Sequence, residues 1–175
     1  MEKFAEILAV GGKTNSLGRS AEVLEAVLAD PGLLADLYGC LFADDAWVRM
    51  RAADCLEKVC REHPEWVGPF IDRIFDDLSA SAQPSIQWHL AQIFAEVTLT
   101  ESQKARAIDW LKKTLAASKV DWIVSVNAMK TLLSFYRSGA VSTSEITPLF
   151  EQQQQHSSNT VRKKASQFLG ELANG

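Results

Sequence analysis

The chain has 175 residues, of which 47% are apolar and 23% charged, and its formal net charge is −4. That balance excludes a disordered polyelectrolyte and is enough to bury a sizeable core in one domain spanning residues 1–175. No apolar run approaches the ~20 residues of a membrane span.

The N-terminus carries Glu2 and Glu6 and lacks the basic leader of a secretory signal. The three cysteines (Cys40, Cys55 and Cys60) are an odd number on helical segments. They read as reduced core residues of a cytoplasmic protein rather than as a disulfide framework. Charge is uneven: residues 1–99 hold 8 basic and 16 acidic side chains, and residues 100–175 hold 10 basic and 6 acidic. The acidic total argues against tight nonspecific binding of nucleic acid, although the second half is basic.

In chain order, residues 2–9 predict a short helix stopped by Gly11-Gly12 and followed by a polar turn, KTNS. A second helix is predicted from about Leu17 to Ala29, with Ala21, Leu24, Val27 and Leu28 apolar. Asp30-Pro31 restarts the chain, since Asp caps and Pro suits a first helical position. Leu33, Leu34, Leu37 and Leu41 then form the apolar side of a third helix.

Asp44 or Asp45 caps the longest amphipathic segment, DDAWVRMRAADCLEKVC, whose seam is Val48, Ala52, Leu56 and Val59. Val48 has counterparts at Ile86, Ile123 and Val161, at steps of 38, 37 and 38 residues. Small residues recur five places on, at Ala53, Ala91, Ala128 and Ser166. Leu33, Ile71, Ile108 and Ile146 recur fifteen places before. A period of this length without strand signals predicts an all-α protein, an α-solenoid of four to five antiparallel helix pairs. The predicted repeats are 31–62, 64–98, 101–137 and 142–173, after an N-terminal cap pair over 1–30. Pro64, the capping boxes Thr100-x-x-Gln103 and Ser142-x-x-Glu145, and Gly139 punctuate them. The polar residues Lys163, Lys164, Gln167 and Glu171, with the Asn-Gly tail, suit a closing repeat.

The residues Asp44, Asp45, Val48-Arg49, Ala52-Ala53 and Leu56, then Val161-Arg162, Ala165 and Leu169, with Pro148, resemble HEAT-type (armadillo-like) repeats. The resemblance covers roughly residues 31–173. It implies an Asp/Arg ladder between repeats, which here lacks its Arg at Gln87 and Val124. It also implies that the second helix of each pair lines a concave binding face. Such repeats are scaffolds, and the fold does not fix a function.

On that face, positions two, six, nine and thirteen after each anchor are expected to point outward. In the first repeat they are Met50, Asp54, Glu57 and Arg61, a solvated set. In the last they are Lys163, Gln167, Gly170 and Gly175. The middle repeats offer an apolar stripe instead: Trp88, Met129, Leu132 and Tyr136, with His89 beside it. This stripe is the expected site for a protein or peptide partner. Trp47 and Trp122, one place before their anchors, are expected to staple adjacent turns.

Lys112, Lys113, Lys119, Arg162, Lys163 and Lys164 would form a basic edge for an anionic partner, opposite in sign to Asp44, Asp45, Asp76 and Asp77 in the early repeats. Gln152–Gln155 is expected to be solvated. The three histidines stand apart, and no phosphate loop, nucleophile elbow or HExxH is present. No catalytic residue, metal or cofactor is therefore expected, and no membrane association. The expected function is a non-enzymatic adaptor. The second reading is a nucleic-acid-binding protein similar to the HEAT-like alkylpurine DNA glycosylases, using Trp88, Trp122, Asp121 and the lysines at 112, 113 and 119.

Overall fold

A computed structural model describes residues 2–11 and 16–174. Gly12, residues 13–15 of the expected polar turn, and Gly175 lie outside the described residues. The described chain is all-helical, with no strand. It forms two compact units, residues 1–98 and 99–175.

The first unit contains α1 (Phe4–Ala9), α2 (Ser20–Ala29), α3 (Leu34–Gly39), α4 (Ala46–Glu62), α5 (Pro64–Val67), α6 (Ile71–Leu78) and α7 (Pro84–Glu96). Three 3-10 turns, Pro31–Leu33, Cys40–Phe42 and Gly68–Phe70, interrupt the helices that precede α4 and α7. Pro31 and Pro69 each sit in the first positions of such a turn, where a missing N–H costs nothing. Helix α4 is the hub, packing against α1, α2, α3, α5 and α7. Its seam residues Val48, Ala52, Leu56 and Val59 are all buried. Phe75 of α6 stacks on Phe94 of α7 with centroids 4.3 Å apart. The Tyr38 hydroxyl of α3 donates to Asp77 of α6 at 3.0 Å, with Arg73 over the Tyr38 ring.

Two sequence expectations shift here. Helix α2 starts at Ser20, three residues later than predicted, because Gly18 adopts φ +53° and turns the chain first. Its buried face is Ser20, Val23 and Val27, with Ala21 exposed. Arg51, one turn past Val48, is buried and makes no ion pair among the described residues. Its guanidinium donates to the carbonyls of Leu8, Gly11 and Ser16 at 2.5, 2.5 and 2.9 Å. It thereby ties the end of α1 and the following loop to α4.

The second unit contains α8 (Glu101–Ala116), α9 (Trp122–Arg137), α10 (Thr143–Gln153) and α11 (Asn159–Asn174). Both capping boxes form as the sequence predicts, at Thr100 and Ser142. Gly139 takes φ +76° after α9, the conformation that made glycine the expected residue there. Helices α8 and α9 pack as one pair and α10 and α11 as another; α8 also packs on α10, and α9 on α11. Lys112 of α8 meets Glu145 of α10 at 2.9 Å, and Arg137 of α9 meets Glu171 of α11 at 2.5 Å.

The expectation that Gln152–Gln155 is solvated fails at Gln153, which is buried. Its Oε1 accepts from the Ser125 hydroxyl at 2.8 Å, and its Nε2 donates to the Leu115 carbonyl at 2.9 Å. One amide thus satisfies a carbonyl at the end of α8 and a buried hydroxyl on α9.

Candidate partner-binding surface

The loop before α4 sets the site. The Asp45 carboxylate accepts from the Trp47 N–H at 2.7 Å and caps α4. Arg49, two residues on, turns back and donates from Nη1 to the carbonyls of Ala43 and Asp44 at 2.6 and 2.8 Å. The same clamp recurs at Arg162, which donates to the carbonyls of His156 and Ser157 at 2.7 and 2.8 Å. Gln87, in the matching place, keeps one of the two bonds, to Ser81 O at 2.9 Å. Val124 has no side-chain donor to make it.

Gln83 then fixes the first turns of α4 and α7 to each other. Its Oε1 accepts from Arg49 Nε at 2.7 Å, and its Nε2 donates to Ala46 O at 2.9 Å. Between those turns lies a cleft of about 310 Å³ walled by Trp47, Met50, Pro84 and Trp88. Trp47 is 37% exposed and lines the cleft with Pro84 and Trp88 of α7. Trp122, at the matching place in the second unit, is 48% exposed.

Of the expected stripe, Trp88 is half-buried on the cleft wall. His89 is only 7% exposed and faces inward, with Ala53, Leu56 and Ile93 around it. Burial pushes its imidazole down to about 4, against the upward pull of Asp54. His89 Nδ1 and Gln92 Oε1 are buried without a hydrogen-bond partner among the described residues.

Met129 and Leu132 are both 0% exposed, which corrects the expectation that they face outward. Helix α9 is covered by α8, α10 and α11, so it has no free apolar side there. Tyr136 is half-buried. Of the five expected stripe residues, His89, Met129 and Leu132 are buried, and only Trp88 in the first unit and Tyr136 in the second keep part of their surface. In the first repeat the expected solvated set is likewise altered. Met50 and Glu57 are buried, Glu57 against Arg61 at 2.5 Å.

The basic edge is largely committed to internal partners. Lys112 pairs with Glu145, Lys113 with Asp109 at 2.7 Å, and Arg162 holds its loop carbonyls. Lys164 bonds Gln167 at 2.9 Å and lies over the Phe168 ring. Lys119 and Lys163 are exposed and make no ion pair among the described residues. Asp121 caps α9, accepting from the N–H groups of Ile123 and Val124 at 2.8 and 3.4 Å. His156 and Lys119 both line a cleft of about 530 Å³. Its Nδ1 accepts from the Ser158 N–H at 2.9 Å, which makes Nε2 the donor to the Val120 carbonyl.

The three thiols are buried, and burial raises all of them, Cys55 and Cys60 to about 12. They are poor nucleophiles. No helix among the described residues is long and apolar enough to cross a membrane.

No family model and no curated protein matches the chain. It is similar in fold to the crystal structure of an engineered protein from the Northeast Structural Genomics Consortium. That match has a TM-score of 0.57 at 16% identity and covers 99% of this chain and 98% of the other.

Proposed function

We propose that the protein is a non-enzymatic, cytoplasmic adaptor of HEAT-like helical repeats, an α-solenoid, that binds a protein partner. The clamp repeated at Arg49, Gln87 and Arg162, at the sequence period of the anchors, supports the repeat reading. The observation that carries the binding reading is the cleft between α4 and α7. An exposed tryptophan, Trp47, and a half-buried one, Trp88, flank a recess whose walls are fixed by Gln83. Exposed aromatic surface on a rigid frame is what partner-binding hot spots are built from. The contact surface proposed is therefore Trp47, Met50, Pro84 and Trp88, in place of the stripe through Met129 and Leu132.

The test is affinity capture with the wild-type protein and with Trp47→Ala/Trp88→Ala. A partner held by the wild type and lost by the variant, at unchanged melting temperature, supports the surface. A partner retained in full by the folded variant removes it.

A further inference from the structure

The chemistry around the Trp47/Trp88 cleft specifies its occupant. This step rests on the binding reading above and adds the class of partner. The first unit is strongly acidic: residues 1–98 hold 8 basic and 16 acidic side chains. Several of those acids are answered internally: Glu2 and Glu22 by Arg19, Asp54 by Lys58, Glu57 by Arg61, and Asp77 by Arg73.

Asp44 and Asp45 are not answered. Both are exposed, immediately before Ala46 and Trp47 of the cleft wall, and neither makes an ion pair among the described residues. Asp45 spends one oxygen on its helix cap, and Asp44 contributes only its carbonyl, to Arg49. Arg49 is the cleft's own cation. Its Nε and Nη1 are held by the Gln83 amide and the Ala43 and Asp44 carbonyls, so it is locked into the loop.

We infer that the cleft binds a basic peptide segment of a partner protein, seating a lysine or arginine side chain against Trp47 and Trp88 with its charge toward Asp44 and Asp45. Indole faces attract cations, and the aliphatic stem of such a side chain buries against an apolar wall of the kind Met50 and Pro84 provide. The acidic unit steers a basic segment toward the cleft and repels an acidic one. An acidic peptide or a nucleic acid would have to approach these two carboxylates, and Arg49, the cation lining the cleft, already has its Nε and Nη1 engaged by Gln83 and the loop carbonyls.

The test uses the full chain labelled with 5-fluorotryptophan, whose fluorine resonances are assigned by single Trp→Phe variants. The probes are two twelve-residue peptides with the same apolar residues, one carrying four arginines and the other four glutamates. The arginine peptide is expected to shift the Trp47 and Trp88 resonances and leave Trp122, which is also exposed, unmoved. Asp44→Asn/Asp45→Asn, which retains a capping side chain at 45, is expected to weaken that binding about tenfold.

A glutamate peptide that shifts Trp47 and Trp88 as strongly overturns the basic-partner inference and leaves the surface standing. So does an arginine peptide that leaves both resonances unmoved, provided the alanine double variant still loses the captured partner. An equal shift at Trp122 marks nonspecific stacking and also overturns the inference. Retention of the captured partner by the double variant removes the surface itself.

Discussion

Replacing Arg51 with alanine probes how the chain's first helix is held. The guanidinium makes three bonds to carbonyls, at Leu8, Gly11 and Ser16. Leu8 is fully buried, so its carbonyl loses its partner in the variant and water does not easily replace it. Leaving such a group unsatisfied costs about 1–3 kcal/mol. Gly11 and Ser16 lie near the surface, where water takes over, so each lost bond there costs about 0.5–1.5 kcal/mol. The sum is roughly 2–6 kcal/mol.

Helix α1 has six residues and is too short to persist alone, so the loss should appear first as its detachment. Amide hydrogen exchange would read this as lost protection over residues 4–9, and urea denaturation would read the stability change. Arg51→Lys, with one ammonium in place of the planar fork, should recover only part of the loss. A change below about 1 kcal/mol with α1 protection intact would refute the reasoning.

Other perturbations have equally definite outcomes. Met129→Glu places a carboxylate where no surface is exposed and should unfold or severely destabilise the second unit; a folded Met129→Glu protein with near-native melting would restore the outward stripe. Gly18→Ala forces a Cβ to 2.4 Å from the Val10 carbonyl at φ +53°, and should lower stability by about 2 kcal/mol or more in denaturant titration.

Acid should act through His89. Its folded-state value is depressed to about 4 from an ordinary 6.5, so the unfolded chain binds a proton over that interval and the folded chain does not. The contribution is fully present above 6.5 and is lost as pH falls toward 4, amounting to about 3 kcal/mol. Stability measured from pH 7 to 4 should fall less steeply in His89→Leu than in the wild type, and parallel curves would contradict this.

What the sequence made legible was local. Asp45, Pro31, Pro64, Thr100, Ser142 and Gly139 act within a turn of themselves, and each does what its chemistry dictates. The α4 seam was equally clear, because its apolar positions alternate with charged ones.

Helix α9 gave no such contrast. Val124, Val126, Met129, Leu132, Leu133 and Phe135 surround most of its circumference, so spacing alone could not choose a face. The structure buries Val124 fully and leaves the expected anchor Ile123 half-buried. Arg51, Glu57 and Gln153 were missed for a different reason. Polar residues in an amphipathic pattern read as solvated, and the partners of Arg51 and Gln153 lie tens of residues away, as Leu8 and Leu115 do, while Glu57 is buried against Arg61 of its own helix. The Trp47/Trp88 cleft depends on Gln83 joining two helix starts 38 residues apart, a contact that no local pattern announces. The basic edge dissolved similarly, since Lys112 and Arg162 find their acceptors across loops and helices.

If a partner docks on the first turns of α4 and α7, hydroxyl-radical footprinting of the tryptophans in the free protein and in the captured complex reads that contact residue by residue. Protection of Trp47 and Trp88 with Trp122 still reactive is the expected result. Protection of Trp122 with Trp47 and Trp88 unchanged would contradict it and move the contact to the second unit.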